Sequence, residues 1–390
     1  MSRHTKKMLL VVRGHIGDLI EMLPTVRSIR NHNPDAHITL FGNSYSTSLL
    51  EGCPYVDRVI SGFSFDYKTR FKKSLILSKY LLKIIFGRYD EILFLTEYPW
   101  GLLLAAWLGR IGTRVGYSGS SNCHIGKFAR LLTHDLGFMP DDRTCRKTPG
   151  NVAASLGVPV DLHYSPIDWF PSSLVQRSKQ MVQNAIAEKL GPEQANEPYF
   201  VFHPGCHWMC NEWEDDRWAE LADRTIEVFD CPIVFTGSAD EQPKIEGIMA
   251  QMKHRAVSLA GSTKIPDFIN VVAGARLLVA IDGSQTQIAL ANGVPAVIMF
   301  GTDNPSISGA LFKEEKFVAV RSWQGPDFPG NRDPHCVLAN GHCHNQACKA
   351  EHALGGITVD EVLTAMQGQL YPLRGPLLQL SNSPRPVART

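Results

Sequence analysis

Short apolar runs alternate with stretches of helical periodicity along most of the chain. Met8 to Val12 is apolar and leads into Gly14-His15-Ile16-Gly17-Asp18, after which Leu19, Ile20, Leu23, Val26 and Ile29 recur at the spacing of one helix face. A strand, a glycine turn and a helix are expected there. Apolar runs at His37–Phe41, Glu91–Leu95 and Arg114–Tyr117, with helical patterns between them, have the rhythm of a parallel sheet with crossover helices. From Pro198 the rhythm restarts, with strands expected at Tyr199–His203, Pro232–Thr236, Ala256–Leu259, Leu277–Ile281 and Ala296–Phe300. Between the halves, Leu162–Pro171 is rich in turn formers, and Gln176–Leu190 reads as a polar helix closed by Gly191-Pro192. The pattern therefore predicts an α/β protein of two doubly wound, Rossmann-like domains facing a cleft. Their expected extents are residues 1–175 and 198–371, with a linker at 176–197 and a proline-containing tail at 372–390. Open α/β sheets bind ligands outside the carboxyl ends of their strands, so function is expected in the loops that follow them.

Composition narrows the class. The 390 residues, 44% hydrophobic and 20% charged, describe a folded chain of two or three domains at roughly 150 residues each. With 39 basic against 38 acidic residues the net charge is +1, which gives no global field for nucleic acid; a charged partner must meet a local patch. Met8–Val12 is shorter than a signal-peptide core of ~7–15 apolar residues, and Leu75–Phe86, interrupted by Lys79 and Lys83, is shorter than the ~20 residues that span a bilayer. A cytoplasmic protein is expected, and its 9 cysteines, an odd number, are expected as free thiols.

Several residues could carry chemistry. Gly14 and Gly17 lack the G-x-G-x-x-G spacing, so the fingerprint of a nicotinamide or flavin enzyme is missing. Asp18, at the start of the first helix, suits either a cap for free backbone N–H groups or a general base aimed into the cleft. Thr236-Gly237-Ser238-Ala239-Asp240-Glu241 follows a strand and suits nucleotide binding and helix capping equally. Asp282-Gly283-Ser284-Gln285-Thr286-Gln287 opens a helix after another strand, where unpaired N–H groups and the helix dipole favour an anion. Of Trp208, Trp213 and Trp218, most read as packing residues. Tyr67–Arg88 holds seven basic residues and no acidic one; on a helical wheel Phe71, Leu75, Ser78, Leu82 and Ile85 share a face beside a stripe of Lys72, Lys79 and Lys83. That segment, with Lys68, suits a partly buried helix with snorkelling lysines or a contact for anionic head groups and acceptor phosphates. Cys336, Cys343 and Cys348 lie among His335, His342, His344 and His352, but their spacing does not match the C-x2-C pairs of ordinary zinc sites, and no metal is expected.

Together these segments resemble glycosyltransferase family 9, the bacterial lipopolysaccharide heptosyltransferases. Arg13, Gly17, Asp18, Leu23 and Pro24 match the family's N-terminal motif. Further matches are Gly52, Pro54, Val56-Asp57, Tyr89-Asp90, Arg114 to Tyr117, Leu156-Gly157, His203-Pro204-Gly205, Trp213, Leu259 to Gly261, Asp282, Gly293 to Pro295 and Phe300-Gly301. The resemblance implies a nucleotide-sugar transferase fold of the B type, with acceptor bound by the first domain, where Gly17 lies, and donor by the second. It implies Asp18 as the base of an inverting displacement and Asp282 as the carboxylate that holds donor sugar hydroxyls. Gly283 and Ser284 fall on its phosphate turn, and Gly205, Cys206 and His207 beside the donor. The implied substrates are a nucleotide sugar, ADP-heptose foremost, and an anionic glycolipid or glycan acceptor at the inner membrane surface, with no cofactor required.

The sequence departs from that pattern at two donor contacts. The family's lysine before the tryptophan is Asn211, followed by Glu212, and its D-[ST]-G-x-x-H turn reads D-G-S-x-x-Q, placing Gln287 where a histidine stands. Amides still donate hydrogen bonds, but charge-assisted bonds are roughly twice as strong as neutral ones. A different donor, a protein acceptor, or a weakly catalytic binding scaffold are therefore alternative expectations. An epimerase on the same architecture is a further one.

Overall fold

The structure, a computed structural model, describes residues 5–62, 79–120, 125–139, 147–164, 166–206, 211–301, 317–321 and 354–371. Lys68, Lys72, His207, Trp208, the cluster of Cys336, Cys343 and Cys348, and the tail from residue 372 lie outside them.

The first sheet comprises β1 (Lys7–Val11), β2 (His37–Gly42), β3 (Arg58–Ser61), β4 (Glu91–Phe94), β5 (Thr113–Gly116) and β6 (His134–Asp135). The second comprises β7 (Phe200–His203), β8 (Ile233–Phe235), β9 (Val257–Ser258), β10 (Leu277–Ile281), β11 (Ala296–Phe300) and β12 (Phe317–Arg321). Every pairing is parallel, and the orders are β3-β2-β1-β4-β5-β6 and β12-β11-β10-β7-β8-β9, the same winding used twice. The winding reverses between β1 and β4 and between β7 and β10, and crevices at such reversals are where doubly wound sheets hold ligands.

The helices are α1 (Ile16–His32), α2 (Trp100–Leu108), α3 (Lys147–Ala154), α4 (Ser172–Leu190), α5 (Asp215–Phe229), α6 (Gln242–Gln251), α7 (Ile265–Ala273), α8 (Ser284–Ala291) and α9 (Val359–Leu370). Strand alternation splits the core into three. Leu9, Val11 and Phe94 face one side of the first sheet, and Phe200, Phe202 and Val279 face the far side of the second. The inward faces, with Leu10, Val201 and Ile298, share one continuous cluster with Leu19, Leu23 and Ile288. The two sheets are thus bridged by packed apolar side chains. α4 lies against α7, where the buried Asp267 accepts from Arg177 Nη2 at 2.7 Å and from Ser178 Oγ at 3.0 Å.

The tryptophan expectation holds for Trp213 and Trp218, both fully buried and packed edge to face at 5.2 Å. The basic helix needs a correction. Among its described residues, 79–85 are helical, but Ile84 is buried whereas Leu82 is exposed. Tyr80 sets this orientation: its hydroxyl donates to the Ser61 carbonyl at 3.0 Å and its ring packs on Phe41 at 5.4 Å, so the Tyr80/Ile84 side turns inward. The wheel had placed Leu82 on the apolar side and left Ile84 off it.

Candidate active site

The loop after β1 brings Asp18 to the first turn of α1. Its Oδ2 accepts the His15 backbone N–H at 2.6 Å, so the carboxylate does cap the helix, and it remains half-buried at the mouth of the crevice. Gly14 permits this fold-back: a Cβ there would come within 2.6 Å of Asp18 Cβ and 2.7 Å of Oδ2. The strand-end geometry is held from the loop after β4, where Thr96 Oγ1 accepts the Arg13 N–H at 2.7 Å.

Across the cleft, β10 is followed by Asp282, whose N–H donates to the Met299 carbonyl at 3.0 Å, and Gly283 precedes the first turn of α8. The helix begins at Ser284, so Ser284, Gln285, Thr286 and Gln287 are its first turn rather than a loop before it. The two helix N-termini meet. An added Cβ on Gly17 would stand 3.4 Å from Ser284 Cα and 3.4 Å from Gln287 Cγ. The positive ends of two helix dipoles therefore converge beside Asp18, which favours negative charge there. Tyr164 closes the same junction by donating its hydroxyl to Gln287 Oε1.

The ends of β7 and β8 form the neighbouring part of the site. A side chain on Gly205 would collide with the Glu241 carboxylate, and Glu241 Oε2 accepts the Ser238 N–H at 2.6 Å. Thr236 is buried, with Oγ1 3.0 Å from His203 Nδ1. His203 keeps some exposed surface, yet its ring packs on Phe268 with centroids 5.3 Å apart. Desolvation holds its pKa below the ordinary histidine value, an effect partly offset by Glu241. Gly237 and Cys206 are half-buried beside this group, and Asp240 is exposed. Asn211 is buried, its carboxamide pressed against the Gly301 backbone so closely that a Cβ on Gly301 could not fit.

The structure thus gathers Gly17, Asp18, Ser284 and Gln287 at one point, and Gly205, Thr236, Gly237 and Glu241 at another along the same strand-end edge. Lys79 and Lys83 are exposed on the helix beside the end of β3, Lys83 Nζ lying 5.3 Å from the Tyr80 ring. Sequence reasoning passed over Tyr164 and Thr96 as site residues. A lone tyrosine in a turn-rich segment carries no periodic signal, and Thr96 matters only through a backbone contact made in three dimensions. His203 was visible within its motif but had no assigned role. No group of three or more metal-ligating side chains is gathered among the described residues.

Two six-stranded parallel sheets, with carboxylate and helix N-termini opposed across the cleft between them, define a two-domain sugar-nucleotide transferase fold of the B type. Residues 100–335 match the model of glycosyltransferase family 9 (heptosyltransferase). The chain belongs to that family of glycosyltransferases. It is 30% identical to lipopolysaccharide heptosyltransferase 1 of Pseudomonas aeruginosa over 182 residues, which are 42% of this chain and 48% of that protein, so the match spans about half the relative's length. A glycosyltransferase family 9 structure from Veillonella parvula superposes with a TM-score of 0.73 at 18% identity, covering 95% of this chain and 98% of that one. The E. coli ADP-heptose lipopolysaccharide heptosyltransferase II superposes with a TM-score of 0.67 at 18% identity, covering 93% and 98%. These two likenesses establish the fold.

Proposed function

We propose that the protein is an inverting transferase that moves a heptose from ADP-heptose onto an anionic lipopolysaccharide-core or related surface-glycan acceptor, with Asp18 as general base. The observation that supports this reading is the meeting of the α1 and α8 N-termini, with the half-buried Asp18 next to the contact and the positive end of the α8 dipole facing it. Asp18 takes the proton of the acceptor hydroxyl as its oxygen bonds to the anomeric carbon. The bond from that carbon to the diphosphate oxygen breaks on the opposite face, and the leaving electron pair stays on the phosphate. The positive N-terminal end of α8 stabilises the charge that develops there.

In this reading residues 198–371 hold the donor. Gly205, Cys206, Thr236, Gly237, Asp240 and Glu241 line its nucleoside side, Asp282 holds sugar hydroxyls, and Gly283, Ser284, Asn211 and Gln287 serve the diphosphate. His207 takes the place beside the donor that the family resemblance gives it. Residues 1–175 hold the acceptor, with Gly17 at the reacting hydroxyl and Lys68, Lys72, Lys79 and Lys83 as the basic contact, and residues 176–197 join the halves. The protein acts at the cytoplasmic face of the inner membrane. The name of the E. coli structural relative, a transferase of ADP-heptose, supports the choice of donor.

A second reading, a different nucleotide sugar, is favoured by one observation: Gln287 spends its carboxamide oxygen on Tyr164 and carries no charge for a diphosphate. Calorimetric titration of the full chain with ADP, UDP and GDP separates the two. Tightest binding of ADP is expected; preference for UDP or GDP selects the second reading, and binding of none overturns both.

A further inference from the structure

α2, with the sequence Trp-Gly-Leu-Leu-Leu-Ala-Ala-Trp-Leu, has no charged side chain and no hydroxyl or amide. A helix that is apolar on every side is ordinarily enclosed. This one buries Leu102, Leu103, Ala105 and Ala106, whereas Trp100, Trp107 and Leu108 are 49%, 49% and 52% exposed. With Leu104, those three fall at i, i+4, i+7 and i+8, one continuous outward strip.

The strip is wider than one helix. A Cβ on Gly109, which ends α2, would lie 3.0 Å from the backbone of Ile85, so the helical residues 79–85 run alongside and add Leu82 and Phe86, 51% and 74% exposed. On the other flank Phe128 stacks on Trp100 at 4.6 Å, with Lys127 Nζ 6.0 Å from the Phe128 ring. An open depression of about 560 Å³, lined by Trp107, Leu108, Arg110 and Arg114, indents its edge.

Cations predominate in the segments that build the strip. The sequence has no Asp or Glu from Tyr67 to Tyr89 or from Tyr98 to His134, and Lys79, Lys83, Arg88, Arg110, Lys127 and Arg130 are exposed. Of the acids that bound these runs, Asp90 accepts the Lys7 N–H at 2.7 Å, Glu97 accepts from Ser120 at 2.5 Å and the exposed Asp135 accepts the Gly137 N–H at 2.8 Å, while Asp66 lies outside the described residues. Exposed indole and phenyl rings set among cations match the boundary between lipid head groups and acyl chains. At 1.5 Å per residue the nine residues of α2 extend about 13 Å, far short of a bilayer's ~30 Å core, and no helix among the described residues is long and apolar enough to cross a membrane.

We propose that the outer face of α2, with Leu82 and Phe86, lies on an anionic lipid bilayer, its aromatic side chains at head-group depth and its cations against lipid phosphates. This deepens the proposed acceptor-side reading, on which it rests for its role: Tyr80 anchors the neighbouring helix to the end of β3, so the docked face adjoins the edge where the acceptor enters.

The test is co-sedimentation of the full chain with vesicles of phosphatidylcholine containing phosphatidylglycerol, against phosphatidylcholine alone. Strong, salt-sensitive binding to the anionic vesicles is expected, and Phe86→Ser combined with Trp107→Ser should weaken it by about tenfold or more. A charge-swapped variant, Lys83→Glu with Arg110→Glu, keeps the apolar strip and should lose the preference for anionic vesicles. Calorimetric ADP binding and circular dichroism of each variant report folding, so a failure of the donor reading, no ADP binding by the parent, is distinct from a failure here. Equal binding by parent and variants overturns the proposal, as does no co-sedimentation. A parent dimer that the Phe86/Trp107 variant converts to monomer also overturns it, because a second copy of the chain then covers the strip.

Discussion

Replacing Asp18 by asparagine separates the two duties of one carboxylate. As a cap, Asp18 accepts the His15 N–H at 2.6 Å. Asparagine keeps an acceptor of the same size, so the loss is the charge at a helix N-terminus, worth about 0.3–1 kcal/mol. Against a global stability on the order of 5–15 kcal/mol, that leaves more than ~99% of the molecules folded, and the midpoint of thermal unfolding should fall by only a few degrees. As a general base the same group contributes on the order of 10²–10⁴ in rate, roughly 3–5 kcal/mol of transition-state stabilisation. The two effects differ several-fold in energy, and the catalytic one governs the readout. Asp18→Asn should therefore reduce kcat by at least about a hundredfold while ADP affinity and thermal stability stay near the parent values. The assay follows glycosylated product by mass spectrometry at saturating donor, with thermal unfolding measured on the same preparation. Retention of kcat within about threefold would show that the carboxylate is a cap only, and the base assignment would fall.

Three other outcomes follow from the geometry. Gly205→Ala drives a methyl group into the Glu241 carboxylate, so a stability loss of roughly 1–3 kcal/mol and weaker nucleotide binding are expected; a variant with unchanged melting and ADP affinity would contradict the close approach. Tyr164→Phe removes the hydroxyl donated to Gln287 between the domains and should lower stability by about 0.5–1.5 kcal/mol, with a shift in donor KM; no change in either would mean that the bond does not persist in solution. Burial depresses the His203 pKa, so the unfolded chain binds the extra proton first and the stability this neutral ring contributes is present above about pH 6.5 and lost as pH falls below it. The loss has a limiting slope of roughly 1.4 kcal/mol per pH unit until the folded-state value is reached. Urea unfolding of parent and His203→Gln across that window should show a steeper acid decline in the parent, and equal declines would refute the assignment.

Much of the fold is legible in the sequence because its central strands are buried on both faces. β1, β4, β7, β10 and β11 read as apolar runs, and helices such as α5 and α7 carry one-sided periodicity. The strands the pattern leaves unmarked are β3, β6 and β12, and each lies at an edge of its sheet. At β3 and β6 the edge is covered incompletely and no apolar run is needed, since Arg58 and Ser61 in β3 and both residues of β6 are exposed; β12, with the sequence Phe-Val-Ala-Val-Arg, does carry an apolar run that the pattern reading passed over. The resemblance to family 9, carried by ordered short motifs, marks Asp18 and Asp282 as candidates without reference to geometry.

Tertiary structure alone decided which of those residues meet. Asp18 and Ser284 are far apart in the chain, and only the packing of α1 on α8 brings their helix N-termini together with Gly17 as the point of contact. Tyr164 acquires a partner, Gln287, only in that junction. The outward strip of α2 has the same origin: the helix is apolar on every side, and packing covers Leu102, Leu103, Ala105 and Ala106 while leaving Trp100, Trp107 and Leu108 in solvent. Periodicity reports how much of an element must be buried. Which neighbour does the burying, and which face is left over, is set by contacts between residues distant in sequence.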